Sequence, residues 1–154
     1  MKYTTYYVAK GNLHVVKRKI KEAADTAIII SEQNGFFPFV VLNEKQEFWK
    51  KWDWLLEILD AKDCGWGFSL YMSGREVIKV IYEKNDELCA KHSDNGYQGD
   101  IVEAAEALGV SLKKLEQCLN ENSVEKLCRL IGFSHENKLD YVGEHNFNNE
   151  IVLD

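Results

Sequence analysis

Apolar residues recur at regular spacings along the first part of the chain and predict alternating strands and helices. Residues 2–8, rich in Thr and Tyr, predict a strand. Asn12 then predicts an N-cap for a helix over residues 13–24, where the apolar positions have helical spacing. Residues 27–31 and 37–42, separated by a Gln-Asn-Gly turn, predict a β-hairpin. This order of strand, helix, strand and strand begins a split β-α-β pattern.

A second helix and a second hairpin are predicted to follow. Residues 45–61 predict the helix because several apolar side chains share one face at helical spacing. These residues are Phe48, Trp52, Leu55, Leu56 and Leu59. Residues 66–72 alternate cleanly, Ser73-Gly74 predicts a two-residue turn, and residues 75–83 return as a strand. The turn predicts a register with the opposed pairs Met72–Arg75, Leu70–Val77, Phe68–Lys79 and Trp66–Ile81.

Together these elements predict an α+β protein. Its core is expected to be ferredoxin-like, β-α-β-β-α-β, with an added β-hairpin strand and a C-terminal helical subdomain. We expect a sheet domain over residues 1–84, a helical subdomain over residues 98–133 that packs on the sheet, and a C-terminal tail over residues 134–154. Ser111 and Ser123 predict N-caps of two helices in the helical subdomain. Pro38 conflicts with an internal third strand, because proline cannot donate to the ladder. Pairing is therefore expected to begin after Pro38, or a bulge to lie there.

Part of the helical subdomain resembles the turn region of bacterial helix-turn-helix domains. The resemblance rests on Ala-Ala-x-x-Leu-Gly-Val-Ser-x-x-x-Leu-x-x-x-Leu, residues 104–119, and covers only residues 101–119. Gly109 would form the turn and Ser111 would cap the second helix, which Leu115 would anchor from behind. The resemblance implies a helix that reads DNA. The alternative is a compact helical hairpin that uses the same glycine turn.

Charge weighs against DNA binding by this segment. Its outer face offers Lys113, Lys114 and Gln117 as contacts to a nucleic acid. Acids outnumber bases across residues 100–129, and the net charge of the whole chain is −6. Acidic surroundings oppose the counterion release that drives binding to phosphate. We therefore expect nucleic acid not to be the main partner, and a DNA-associated regulator remains an alternative.

Composition predicts a soluble protein with a real core. The chain has 154 residues, of which 45 % are hydrophobic. Its longest apolar runs, residues 27–30 and 36–42, fall far short of the roughly twenty residues of a membrane helix. Residues 1–11 lack the features of a signal peptide. We therefore expect a cytoplasmic protein without membrane contact, in which all cysteines are reduced. These are Cys64, Cys89, Cys118 and Cys128.

No catalytic or cofactor motif is recognisable in the sequence. It contains no Gly-x-Ser-x-Gly elbow, phosphate loop or dinucleotide fingerprint. Cys89 and His92 have the spacing of metal ligands, but no second close pair accompanies them. Cys128 and His135 could act together only if the fold brought them into contact. We therefore predict a protein that is not an enzyme and that holds no cofactor and no metal.

Trp54 and Ile58 are the candidate contacts to a partner. They lie one turn apart on the predicted second helix, away from its apolar stripe, and form either an exposed strip or part of a wider buried face. The leading hypothesis is an acidic interaction or regulatory module that binds another protein, by analogy with bacterial immunity or adaptor proteins. The alternatives are the DNA-associated regulator and a small-molecule sensor on a ferredoxin-like sheet, a kind of sheet that often forms homodimers.

Overall fold

A computed structural model shows one antiparallel sheet with helices on both faces. It describes residues 4–29, 32–44, 47–85, 87–89, 95–135 and 151–153. Within these residues the sheet has eight strands in the order β7-β6-β5-β4-β1-β3-β2-β8. The strands are Thr4–Lys10 (β1), Ala24–Ile29 (β2), Phe36–Glu44 (β3), Trp54–Asp60 (β4), Gly65–Met72 (β5), Arg75–Glu83 (β6), Gly96–Gly99 (β7) and Ile151–Leu153 (β8). The α-helices are Leu13–Ala23 (α1), Ile101–Leu108 (α2), Leu112–Glu121 (α3) and Val124–Ile131 (α4).

The first strand, helix and hairpin lie close to their predicted positions. Asn12 caps α1, because its Oδ1 accepts a 2.9 Å hydrogen bond from the Val15 backbone N–H. β3 is internal, between β1 and β2. Its pairing with β2 runs from Phe39 onward, one residue after Pro38. On the β1 side, however, pairing already starts at Phe36, and Pro38 itself lies opposite Val8. The expectation that pairing begins after Pro38 is therefore met only for the ladder to β2, and the proline lies within an internal strand.

The predicted second helix over residues 45–61 is wrong. Trp54–Asp60 form strand β4 at the centre of the sheet, and among the described residues of this span, 47–61, only Phe48–Lys51 is helical, as a short 3-10 helix. A central strand is buried on both faces and reads as a continuous apolar run, which periodicity alone cannot separate from a buried helix. Leu55 belongs to the core on one face and Leu56 to the core on the other. Because β4 is buried on both faces, the spacing of its apolar residues also fits one face of a helix, and this is why a helix was predicted here.

The loss of that helix changes the predicted topology. The protein is mixed α+β, and its first four strands lie in the order β4-β1-β3-β2. The element order β-α-β-β-α-β is not reproduced, because a 3-10 helix of four residues replaces the second α-helix. The sheet also continues past the predicted boundary at residue 84, with β7 on one edge and β8 on the other.

β5 and β6 form the predicted hairpin, but most of its register differs from the predicted one. The pair next to the turn, Met72 and Arg75, agrees with the prediction. The register then shifts by one residue between Leu70 and Tyr71, as a β-bulge on β6 produces. As a result Phe68 opposes Val80 rather than a lysine. Apolar side chains therefore face each other across the hairpin.

Two apolar cores occupy the two faces of the sheet. On one face α1 and the 3-10 helix pack around Phe39, Ile20 and Trp52. On the other face α2, α3 and α4 cover a larger core that includes Phe68 and Leu115. The N-terminal and C-terminal helices therefore cover opposite faces of the sheet, and the second N-terminal helix is only a 3-10 turn.

Side-chain caps begin each of the three C-terminal helices. Asp100 accepts hydrogen bonds at the start of α2, and Ser111 and Ser123 do so at the starts of α3 and α4, where the sequence predicts N-caps. Gly109 ends α2 with a φ of 72°, which suits a glycine. In the part of the chain that the structure describes, no helix is long and apolar enough to cross a membrane.

Two of the four cysteines form a disulfide and the other two do not. Cys64 and Cys89 form a disulfide with their Cα atoms 5.3 Å apart, so the prediction of reduced thiols is wrong for this pair. A second 3-10 helix, Lys62–Cys64, presents Cys64 to the connection between β6 and β7. That meeting depends on the fold and cannot be deduced from the spacing of the cysteines. Cys118 and Cys128 are not part of a disulfide.

Candidate functional site

A chain of hydrogen bonds joins His135, which follows α4, to the middle of the sheet. The His135 Nε2 lies 2.9 Å from Asp60 Oδ2, and its Nδ1 lies 2.8 Å from the Tyr6 hydroxyl. The Tyr6 hydroxyl also lies 3.8 Å from Cys128 Sγ. Strands β1 and β4 and helix α4 therefore bring together four polar side chains that are far apart in the sequence.

The donors and acceptors of this network fit one arrangement. The second oxygen of Asp60 accepts a 2.6 Å hydrogen bond from the Lys62 backbone N–H. Because an ionised Asp60 can only accept, His135 donates from Nε2, and a neutral imidazole then accepts the Tyr6 O–H at Nδ1. The order of carboxylate, imidazole and hydroxyl is that of a catalytic triad. Tyr6 and Cys128 are both 0 % exposed, so no substrate reaches them, and the network instead anchors the residues after α4 to the sheet.

Tyr6 is also the group whose ionisation the fold opposes most clearly. Burial raises the pKa of Tyr6 far above its ordinary value, and the neighbouring Cys128 raises it further. An ionised phenolate in this position would be desolvated and placed beside a thiol and a carboxylate. The folded protein therefore strongly favours the protonated form of Tyr6.

We expect Tyr6 to make the protein lose stability above about pH 10, the ordinary pKa of tyrosine. Below that pH both states keep the phenol proton, so the contribution of Tyr6 to stability is fully present. Above it the unfolded chain loses the proton and the folded chain does not. Unfolding therefore becomes easier by about 1.4 kcal/mol per pH unit. Urea denaturation at several pH values on both sides of this point measures the slope.

Two variants separate the effect of Tyr6 from that of the other tyrosines. Tyr6→Phe is expected to be less stable at neutral pH, because His135 Nδ1 loses its donor, but its alkaline loss should be shallower. Tyr97→Phe is the matched control, since Tyr97 is 47 % exposed, and it should keep the wild-type slope. Equal slopes for wild type and Tyr6→Phe would contradict the buried position of this phenol.

A cavity of about 260 Å³ lies beside Asp60, where the open end of the β5–β6 hairpin meets the junction of α3 and α4. The side chains that give it its chemical character are Asp60, Lys62, Trp66, Tyr82, Lys84 and Glu125. We call this cavity the hairpin pocket. It combines a partly apolar wall with a few polar groups, which is the usual composition of a small-molecule site.

The charged groups of the hairpin pocket are not equivalent. Asp60 is hydrogen-bonded to His135, and Glu125 accepts a 3.2 Å hydrogen bond from Arg129 in an ion pair. Lys62 and Lys84 have no ion pair among the described residues and are exposed. Both acids therefore have hydrogen-bond partners within the protein, whereas the two ammonium groups remain available to a ligand.

Two aromatic rings form the apolar wall of the pocket. Trp66 and Tyr82 stack with their ring centroids 5.4 Å apart and their planes 28° apart. Asn122 fixes the indole, since its Oδ1 accepts a 2.5 Å hydrogen bond from Trp66 Nε1. Burial raises the pKa of Tyr82, with Tyr97 as a second cause, so Tyr82 is a neutral donor at physiological pH. The wall is rigid and offers ring surface next to the two lysines.

Trp54 and Ile58, the predicted contacts to a partner, lie in the interior. They are 7 % and 0 % exposed, because both point from β4 into the core beneath α2–α4. The Trp54 Nε1 donates a 2.9 Å hydrogen bond to the Ala107 carbonyl. Trp54 and Ile58 therefore form no exposed strip. They belong to a wider buried face, which was the alternative prediction.

Lys113, Lys114 and Gln117, the candidate contacts to nucleic acid, are exposed on α3. Leu115 and Leu119, on the opposite side of that helix, are buried in the core. The segment thus packs as the resemblance implies, with its polar face outward. Lys114 and Gln117 also border a shallow groove between α3 and α4, whose other cations are paired with acids.

The sequence missed most of the site. Asp60 and Tyr82 carry no local motif, and Lys62 and Lys84 are ordinary surface lysines until the fold joins them. Cys128 and His135, named as a pair that the fold could join, do meet, but through the Tyr6 hydroxyl. The candidate metal pair Cys89 and His92 cannot be assessed as a pair, because His92 lies outside the described residues and Cys89 is in the disulfide.

Comparisons of the chain with protein-family models, with curated proteins and with solved structures find no match. The function must therefore be argued from the geometry of the site.

Proposed function

We propose that this protein is a non-enzymatic regulatory module that binds a small planar anion in the hairpin pocket. The observation that carries the proposal is the combination of Lys62 and Lys84, two lysines that form no ion pair with any described residue, with the stacked rings of Trp66 and Tyr82. A carboxylate or phosphate would pair with the lysines, and a flat ring would lie against the aromatic wall. This is the small-molecule sensor among the alternatives that the sequence leaves open.

A binding role suits the site better than catalysis does. The residues that form a triad-like chain, Tyr6, His135 and Asp60, direct their hydrogen bonds into the protein, and the hydroxyl and thiol are buried. The hairpin pocket itself contains no pair of a nucleophile and a base in hydrogen-bond contact among its described lining residues. We therefore retain the prediction that the protein is not an enzyme.

Binding of another protein is the second candidate function. Several apolar side chains are exposed outside the cores, and they favour such a role more than Trp54 and Ile58 do. These residues are Trp49, Leu88, Tyr97, Val102 and Leu112. A second copy of the chain is one partner of this kind, and an immunity or adaptor role would be compatible with it. A DNA-associated role through Lys113, Lys114 and Gln117 has no further support, because the acidic surroundings remain.

Two finer sequence predictions belong to the same proposal. The strand order β4-β1-β3-β2 supports a relation of the first four strands to a ferredoxin-like sheet in which a 3-10 helix replaces the second α-helix. A cytoplasmic location is retained as well. In that compartment the Cys64–Cys89 disulfide would be a reversible bond rather than a permanent one, because cytosolic thiols are kept reduced.

A thermal-shift series tests the proposed ligand class. Aromatic anions such as benzoate, indole-3-acetate and phenyl phosphate are expected to raise the melting temperature, with about 2.7 kcal/mol of stabilisation at a hundredfold excess over the dissociation constant. Benzamide, the neutral analogue of benzoate, should give little shift. The double variant Lys62→Gln/Lys84→Gln should lose most of the response, because it removes both ammonium groups.

Lys113→Gln is the matched control for this series. Lys113 is an exposed lysine outside the pocket, so its variant should respond to the anions as the wild type does. A response of equal size in the double variant would show that the anions bind elsewhere. Capture of a protein partner by a chain that responds to none of these anions would favour the second candidate.

A further inference from the structure

The disulfide lies at the edge of the hairpin pocket. Cys64 ends the 3-10 helix that carries Lys62, and the next residue, Gly65, lines the cavity. Cys89 lies in the connection that leads away from Lys84 after β6. The bond therefore joins the two chain segments that carry the two available lysines of the pocket.

A backbone hydrogen bond couples the same two segments. The Lys84 N–H donates to the Cys64 carbonyl at 2.9 Å, so one side of the pocket is formed by a direct contact between the residue that precedes Gly65 and the end of β6. Without the disulfide, the Gly65–Glu83 pair at the end of the β5–β6 ladder and this hydrogen bond just beyond it would be the described links that remain between the two segments. A single backbone hydrogen bond near the surface opens readily.

The connection that carries Cys89 is closed at its base in a different way. Asn95 accepts a 2.7 Å hydrogen bond from the Glu83 N–H and donates a 3.0 Å bond to the Glu83 carbonyl. The two ends of the connection thus stay together whether or not the disulfide exists. Breaking the disulfide would therefore release Cys89 from Cys64 while leaving β6 and β7 in register.

We propose that the Cys64–Cys89 disulfide is a thiol-responsive clamp on the hairpin pocket, which binds its ligand tightly when the bond is formed and weakly when it is reduced. This inference rests on the proposed anion-binding function. Reduction would let Lys62 and Lys84 move apart, so a ligand would contact one ammonium group instead of two. The site would then report the thiol–disulfide state of its surroundings as well as the concentration of its ligand.

The chemistry is an ordinary thiol–disulfide exchange with a dithiol as reductant. A thiolate of the dithiol attacks Cys64 Sγ, which is the more accessible sulfur because Cys64 is partly exposed and Cys89 is 7 % exposed. The Cys64–Cys89 bond breaks, and Cys89 leaves as a thiolate that takes up a proton. The second thiol of the dithiol then displaces Cys64, which takes up the other proton. Two electrons pass from the dithiol, now a cyclic disulfide, to the two cysteines.

The test compares the full chain in its oxidised form and after treatment with dithiothreitol. Benzoate is the probe, and its affinity is measured by NMR titration at a temperature at which both forms are folded. We expect reduction to weaken benzoate binding by about tenfold, the equivalent of one charge-assisted hydrogen bond, and reoxidation to restore it. Cys64→Ser/Cys89→Ser should bind as the reduced wild type does under both conditions, and Cys118→Ser should respond as the wild type does.

A readout without ligand separates failure of the clamp from failure of the proposed function. The indole N–H of Trp66, bonded to Asn122 in the pocket wall, should exchange with solvent deuterium faster after reduction. Equal benzoate affinity in the two forms would overturn the clamp. If the oxidised protein binds no benzoate, the proposed ligand is wrong. Faster Trp66 exchange would then still support the clamp, and unchanged exchange would overturn it.

Discussion

Replacing Phe68 with alanine is expected to lower the free energy of unfolding by about 3–5 kcal/mol. Phe68 is 0 % exposed and lies on β5, between Ile58 on one neighbouring strand and Val80 on the other. Strands on both sides and helices above hold the site open, so the cavity left by the ring cannot collapse and its cost adds to the lost burial. Urea denaturation followed by tryptophan fluorescence measures the change.

Tyr97→Ala is the matched control for the loss of an aromatic ring from the same sheet. Tyr97 is 47 % exposed on the edge strand β7, so its removal should cost less than about 1 kcal/mol. If Phe68→Ala lowered the free energy of unfolding by no more than Tyr97→Ala does, Phe68 would not face the helix-covered core. Such a result would place the register of the β5–β6 hairpin in doubt.

The hairpin shows how far periodicity can predict a sheet. Alternation placed Phe68 and Trp66 on the buried face, and both are in the core. The turn at Ser73-Gly74 predicted the first pair correctly. Beyond that pair, the observed register differs by one residue from the predicted one, because a bulge at Val77 adds an extra residue to β6. The residue type at that position gives no signal for a bulge. The face was predictable because burial repeats along the strand, whereas the register depends on one local irregularity.

The segment around β4 shows where periodicity fails. Trp54, Leu55 and Leu56 are all buried because β4 is covered on both faces. A strand of this kind has no polar face, so its apolar residues can be fitted to a helical stripe as well as to a strand. The same error made Trp54 and Ile58 look like an off-stripe, exposed pair. Both mistakes come from one missing fact, the position of the strand within the sheet.

The candidate site depends entirely on the tertiary structure. Asp60 and His135 meet only because β4 ends beneath the residues that follow α4. Lys62 and Lys84 share a cavity only because β5 and β6 are paired. Helix caps, by contrast, are local, and the sequence predicted Ser111 and Ser123 correctly. Local hydrogen bonds can be read from residues three positions apart, whereas contacts between strands cannot.

Removing the disulfide is expected to lower the free energy of unfolding by about 3–4 kcal/mol. The bond joins residues 25 positions apart, and without it the unfolded chain regains the freedom of that loop. Cys64→Ser/Cys89→Ser removes both thiols, so no unpaired cysteine remains at the site. The midpoint in urea gives the loss of stability, and the slope of the transition should rise because the unfolded variant exposes more surface.

Wild type in excess dithiothreitol should match the double variant, because reduction breaks the same bond. Cys118→Ser should match the oxidised wild type, since Cys118 is a free thiol. An equal midpoint for oxidised and reduced wild type would mean that the bond adds no stability. A loss of stability has a different cause from a loss of affinity. The disulfide stabilises the fold mainly by restricting the unfolded chain. Its proposed effect on affinity comes from the positions of Lys62 and Lys84 in the folded pocket, so stability and affinity can change independently.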